Sequence, residues 1–150
     1  MHPAGIFKET DEAALLAHLR RQPFVTLAAA PEGRPLIAHA PVVARRTDSG
    51  LVLDFHLSRG NALTPHLAAG FRGVMVSLEA EAYVSPDWYE SADQVPTWNY
   101  RSVEAHGFVA PLSEAEHSEA NKVRGCASQV WLLMARDETG SRLDIRGDSD

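Results

Sequence analysis

Read as apolar and polar positions, the chain is one capped helix followed by a series of short strands. Ala13-Ala14-Leu15-Leu16-Ala17-His18-Leu19 stands behind Thr10-Asp11-Glu12 and ahead of Arg20-Arg21. Thr10 or Asp11 can cap such a helix, and the acidic and basic ends suit its dipole; Pro23 stops it. Residues 24–28 then predict a strand, 30–35 a turn, and 36–44 a second strand closing a hairpin. After a polar turn at 45–50, residues 51–56 alternate as a third strand. Residues 61–69 predict a short helix with Gly70 as its left-handed cap. Residues 73–78 form a fourth strand, 81–85 its continuation or a neighbour, and 98–111 contain a further one. Ser113 and Glu116 have the spacing of a capping box, which opens another helix. Residues 130–135 are six apolar positions in a row, expected to be buried in the barrel or in a dimer contact. The expected architecture is mainly β with flanking helices, a small barrel over residues 1–136. Residues 137–150 are polar and Gly-dotted, and are expected to be a loose tail.

Composition narrows the function classes. A chain of 150 residues with 45% hydrophobic and 23% charged content is a single-domain length of ordinary globular make-up. Its single cysteine, Cys126, excludes an internal disulfide framework and a multi-cysteine metal site, so a cytoplasmic setting is expected. No apolar run approaches the roughly 18 residues of a membrane span. A net charge of −6 argues against direct DNA binding as the main task. The densest basic clusters, Arg20-Arg21 and Arg45-Arg46, are adjacent pairs whose side chains diverge. No nucleophile elbow, P-loop or dinucleotide fingerprint is present, and the histidines have no metal spacing, so no metal site is expected.

The chemistry concentrates in residues 82–107, which hold two of the three Trp and all three Tyr: Tyr83, Trp88, Tyr89, Trp98 and Tyr100. Ser85, Pro86, Asp87, Pro96, Thr97, Asn99 and His106 are interleaved with them. A core strand has no use for Pro-Asp and Pro-Thr beside its aromatics. A pocket for a flat polar ring does, because it needs apolar faces and a few fixed donors together. The segments AYVSPDWY and VPTWNYRSVEAHG resemble the signature of the PaiB-type, FMN-binding negative transcriptional regulators, a branch of the pyridoxamine-phosphate-oxidase-like flavin split barrels. MHPAGIFKETDEAALLAHLRRQPFVTLAA, PLIAHAPVV and DFHLSRGNAL extend the likeness over roughly residues 1–112. Past Leu112 it fades, where members of that family continue into a second half that completes the dimer and part of the site.

The resemblance implies an FMN-binding split β-barrel that acts as a homodimer, with the flavin at the subunit interface. If the second half covers one side of the ring, it further implies that this chain holds FMN loosely. His56-Leu57-Ser58-Arg59-Gly60-Asn61 lies between a strand and a helix, where phosphates dock. In flavin split barrels the corresponding loop holds the FMN phosphate, which points to Ser58 and Arg59, with His56 and Asn61 next. A solvated turn whose Ser or Asn caps the following helix explains the same pattern. His39 lies on a strand that, by resemblance, runs beneath the isoalloxazine edge; it is either a flavin contact or a satisfied interior histidine. Pro41 removes a ladder donor and so marks an edge or a bulge. Trp98, Asn99 and Tyr100 are pocket wall or plain core, as are Trp88 and Tyr89. His106, with Glu104 two positions earlier, is a candidate general acid or a half-buried histidine bonded to a carbonyl. Three functions stay open: a flavin-dependent oxidoreductase, a non-catalytic ligand sensor or regulator, and a barrel that has lost flavin binding.

Overall fold

A computed structural model describes residues 8–47, 50–91, 93–112, 129–134 and 144–149. In chain order these are β1 (Lys8–Glu9), α1 (Glu12–Arg21), β2 (Phe24–Ala29), β3 (Leu36–Thr47), β4 (Gly50–Ser58), β5 (Phe71–Val84), β6 (Thr97–Pro111), β7 (Gln129–Met134) and β8 (Asp144–Ser149). Single 3₁₀ turns stand at Thr64–His66 and Pro86–Trp88. The strand order β6-β5-β2-β3-β4-β7 closes on itself because β7 also pairs with β6, making a six-stranded antiparallel barrel. β8 lies against the remaining edge of β6, and β1 against β8. The expected helix from Ser113 to Glu116 lies outside the described residues.

Alternation builds the core. Val25 and Leu27 on β2, Ala38, Ala40 and Val42 on β3, and Leu53, Phe55 and Leu57 on β4 face one interior with Phe71, Met75, Val103, Ala105 and Val109. Asp11 caps α1 by accepting from the Ala13 amide, and the helix brings Leu15 and Leu19 to the core at the end where β2 begins. Leu63 and Leu67, from the loop after β4, join it from the opposite end.

Two strands change partner along their length, and this bends the sheet into a barrel. β3 pairs with β2 as far as Phe24↔Pro41 and with β4 from Val42↔Phe55 onward. Pro41 therefore sits at the corner, where its missing N–H costs no bond, and the Val42 amide donates instead to the Pro23 carbonyl at 2.8 Å. β6 pairs with β8 over Arg101–His106 and with β7 over Val109–Pro111.

Of the two readings of residues 81–85, continuation of the strand at 73–78 is the one realised: both belong to β5, with an irregular register between Glu79 and Glu81. Two expectations need correction. The helix foreseen at 61–69 is only the 3₁₀ turn Thr64–His66. The loose end is not loose over Asp144–Ser149, which forms β8: ladder bonds use the backbone and do not require an apolar side chain. The apolar run at 130–135 becomes β7 as far as Met134; Ala135, and the burial expected of the run, lie outside the described residues.

Gly70 ends the loop with φ +66° and stands against the Phe108 ring and the Val109 carbonyl. Gly70→Ala should therefore cost about 1–3 kcal/mol, from left-handed strain plus an overpacked contact. Urea denaturation checks it, and a change within experimental error would show that Phe108 swings away freely.

Candidate functional site

The loop after β4 is tightly self-bonded. Ser58 Oγ accepts from the Gly60 amide at 3.3 Å, and the Asn61 amide donates to the Ser58 carbonyl at 2.9 Å. Asn61 Oδ1 accepts from the Leu63 amide at 2.9 Å, and Thr64 Oγ1 donates to the Ser58 carbonyl at 3.0 Å. This explains the short helix: Asn61 folds the chain into an Asx turn, and Pro65 supplies no amide. It also removes the amides of Gly60, Asn61 and Leu63 from the phosphate cradle expected there. The Ser58 hydroxyl proton and the Asn61 side-chain amide remain as donors. Arg59 is exposed and makes no ion pair or side-chain hydrogen bond with any described residue. His56, partly buried on β4, stands opposite Trp131 of β7 in the register.

His39 lies on the outer face of the barrel, in a row with Thr26, Val76 and Glu104 set by the registers of β3, β2, β5 and β6. Its Nδ1 is 3.1 Å from Thr26 Oγ1, and its ring stacks on Phe24 with centroids 6.2 Å apart. The interior alternative for His39 fails, because the side chain is exposed. His106 belongs to the next row, with Val74, Ala28 and Ile37. Its Nε2 is 3.2 Å from Glu104 Oε2, the pairing foreseen from their spacing. Around these rows the face is strongly apolar and open: Phe24 is 67% exposed, Ile37 57% and Leu78 61%. Phe24 and Thr26 were not singled out in the sequence, although the alternation after Pro23 already put both on the face opposite Val25.

The aromatic segment is neither core nor, within one chain, part of that face. Beyond the Glu79/Glu81 irregularity, β5 and β6 continue as a two-stranded arm in which Ala82 pairs with Asn99 and Tyr83 with Trp98. The Tyr83 and Trp98 rings are tilted at 58° with centroids 6.0 Å apart. Trp88 is 71% exposed and Trp98 58%, so the plain-core alternative fails for both. Tyr100 lies at the root of the arm opposite Glu81.

Antiparallel order fixes where these pieces stand. The ends of β2, β4 and β6 share one rim with the starts of β3, β5 and β7, so the Ser58–Asn61 loop lies at that rim. His66 Nδ1, 3.5 Å from Glu32 Oε1, ties the loop to the β2–β3 turn at the same rim. The arm leaves from the opposite rim. From Phe71 to Tyr83, at about 3.3 Å per residue, β5 spans on the order of 40 Å. His39 and His106 lie between the two ends, three strands apart across the face. The fold brings Ser58, Arg59, Asn61 and His56 together and keeps Trp98, Asn99 and Tyr100 away from them.

A closed six-stranded barrel with an open apolar flank, an exposed arginine at one rim and an aromatic arm at the other has the form of a flavin split barrel. Over 96% of its length the chain superposes on the FAD and heme binding protein of Mycobacterium smegmatis, with TM-score 0.68, 16% identity and 73% of that chain covered. It covers 72% of the flavocytochrome Anf3 of Azotobacter vinelandii over its whole length, with TM-score 0.71 and 16% identity. The family described as "Putative FMN-binding domain" matches residues 1–138, and the chain belongs to it. That match runs past Leu112 and takes in β7. The chain is also 27% identical over 119 residues to "Protease synthase and sporulation protein PAI 2" of Bacillus subtilis (strain 168). The alignment covers 79% of this chain and 57% of that protein. The chain is thus an FMN-binding domain of that family with a split-barrel fold, and its cofactor is a flavin.

Proposed function

We propose that the chain works as a homodimer that holds FMN between its copies and passes electrons through it as an oxidoreductase. The observation that carries this reading is the separation of the two halves of the site. The arginine loop and the aromatic arm occupy opposite rims of one barrel, so one flavin meets both only if the arm comes from a second copy. The apolar flank between them, with Phe24, Ile37 and Leu78 exposed, is the surface such a pair buries.

The residues fit the group. Arg59, with the Ser58 hydroxyl and the Asn61 side-chain amide, takes the phosphate monoester; His56 stands behind this loop. The apolar rows around His39 take the ring, with Thr26 holding the imidazole through Nδ1. The partner's arm closes over the ring with Trp98 and Tyr100 and excludes water, and Asn99 offers a polar edge. His106, held by Glu104, is placed to hold or give up a proton at the margin of the face. Bound FMN supplies the redox chemistry, and the chain supplies position and fixed dipoles.

A regulatory role is the second reading, favoured by the likeness to the Bacillus subtilis sporulation protein, of which this chain spans little more than half. With a net charge of −6, such a role is exerted through a protein partner or indirectly rather than on DNA. Among the described residues no helix is long and apolar enough to cross a membrane, and a cytoplasmic location belongs to the same proposal.

Light scattering combined with FMN titration tests the assembly. A dimer taking up one FMN per chain, more tightly than FAD, is expected. A monomer that retains FMN would overturn the shared site, and absence of flavin uptake would overturn the whole reading. Reduction of the bound flavin by NADH or NADPH and its reoxidation by an acceptor separate the enzyme from the sensor.

A further inference from the structure

One buried histidine has no part in the flavin site. His18, on α1, is 5% exposed and faces Ser77 of β5, itself 1% exposed. His18 Nε2 is 3.1 Å from Ser77 Oγ, His18 Nδ1 is 3.3 Å from Glu79 Oε2, and the Ser77 hydroxyl donates to the Gln22 carbonyl at 2.8 Å. Arg21 holds Glu79 from the other side through Nε and Nη2 at 3.1 and 3.0 Å.

The protons in this cluster do not balance unless His18 is charged. The Gln22 carbonyl and the Glu79 carboxylate can only accept, so the three contacts His18–Glu79, His18–Ser77 and Ser77–Gln22 need three protons. A neutral imidazole and one hydroxyl supply two. With Nδ1–H directed at Glu79, the Ser77 hydroxyl must choose between His18 Nε2 and the Gln22 carbonyl. An imidazolium supplies the third proton and satisfies all three contacts. Gln22 is the residue that ends α1, and Glu79 borders the irregularity from which the aromatic arm departs.

We propose that His18, Ser77 and Glu79 form a proton-operated latch: proton uptake by His18 commits the Ser77 hydroxyl to the Gln22 carbonyl and fastens the end of α1 to the base of the arm. The charged groups around the imidazole are Glu79 on β5, Arg21 on its own helix, and Arg101, which stands opposite Glu79 in the register of β6 on β5. β3 reaches the far end of the helix through Arg46 and Glu12, and β8, which also packs on α1, carries Asp144, Arg146 and Asp148. Burial pulls the His18 imidazole below its ordinary 6.5, against the attraction of Glu79 and the Ser77 backbone. The unfolded chain therefore takes up this proton first. The stability that His18 contributes falls as pH drops below 6.5 and levels off once the folded imidazole is itself charged.

The link to flavin rests on the reading proposed above, in which the arm covers the ring; the latch itself does not. Imidazole ¹⁵N NMR of the full chain follows His18, and ¹⁹F NMR of fluorotryptophan-labelled protein follows Trp98, assigned by Trp98→Phe. One protonation step of His18 below pH 6.5 is expected, with the Trp98 signal moving at the same midpoint. Ser77→Ala should leave His18 titrating while Trp98 stops responding, and His18→Gln should leave Trp98 flat. A Trp98 signal that ignores the His18 step, or still follows pH in Ser77→Ala, overturns the latch. If His18→Gln fails to fold, the wild-type and Ser77→Ala spectra decide. Relative to His18→Gln, which cancels the titration of the FMN phosphate itself, wild-type FMN affinity should change about fivefold across the step, the scale of one rearranged hydrogen bond. No FMN uptake at any pH would sink the flavin reading and leave the latch to the NMR result.

Discussion

Arg59→Ala is expected to weaken FMN binding by about 1.5–3 kcal/mol, roughly 10- to 150-fold, the value of a charge-assisted hydrogen bond to a phosphate. The loop gives this one side chain most of the task. The amides of Gly60, Asn61 and Leu63 are already bonded within the turn, so they cannot share the phosphate charge. Ser58 and Asn61 add neutral donors, each worth less than the guanidinium. Quenching of flavin fluorescence on titration measures the change, and riboflavin is the control. Lacking the phosphate, riboflavin should bind Arg59→Ala and the parent alike. Stability should also be unchanged, since Arg59 is exposed and no described residue holds its side chain. An FMN affinity unaltered by the substitution would move the phosphate to another cation at the same rim, such as Arg34 or Arg72.

Phe55→Ala should lower stability by about 3–5 kcal/mol, the cost of lost transfer energy plus a cavity that the barrel cannot collapse into. Phe55 has 0% exposure, and its strand β4 joins the barrel at two seams: Phe55 stands opposite Val42 of β3 and Leu132 of β7. For a domain whose total stability is on the order of 5–15 kcal/mol, such a loss leaves little margin. Chemical denaturation measures it, and FMN should partly restore the loss because it binds only the folded chain. Phe55→Leu, which keeps most of the volume, should cost far less. Equal losses for the two substitutions would show that an aromatic ring, and not filled space, is what the seam requires.

The elements legible in the sequence are those whose cause is local. Asp11, the apolar spacing through Leu19, and Arg20-Arg21 suffice for α1, and turn residues between alternating runs suffice for the β2–β3 hairpin. The loop after β4 is a single 3₁₀ turn and not a helix over residues 61–69 because Asn61 folds it into an Asx turn and Pro65 supplies no amide. β8 was missed for the opposite reason. Residues 144–149 have almost no apolar pattern, and only the free edge of β6, supplied by residues far away in the chain, gives their backbone a partner.

The candidate site divides the same way. The chemistry of each piece was readable: an arginine in a polar loop after a strand, a proline-broken aromatic segment, and histidines on separate strands. Where those pieces stand was not, because position in a barrel depends on strand order and on corners such as Pro41 and the Glu79/Glu81 irregularity. Exposure of Trp98 instead of burial, the opposite rims of loop and arm, and the contact of His18 with Ser77 and Glu79 all join residues more than 25 positions apart or follow from the closure of the sheet. By itself the sequence determined the barrel class and carried the resemblance that implied a flavin. Tertiary structure alone decided which residues meet, since one barrel has two rims and a strand of roughly 40 Å cannot bring its ends together.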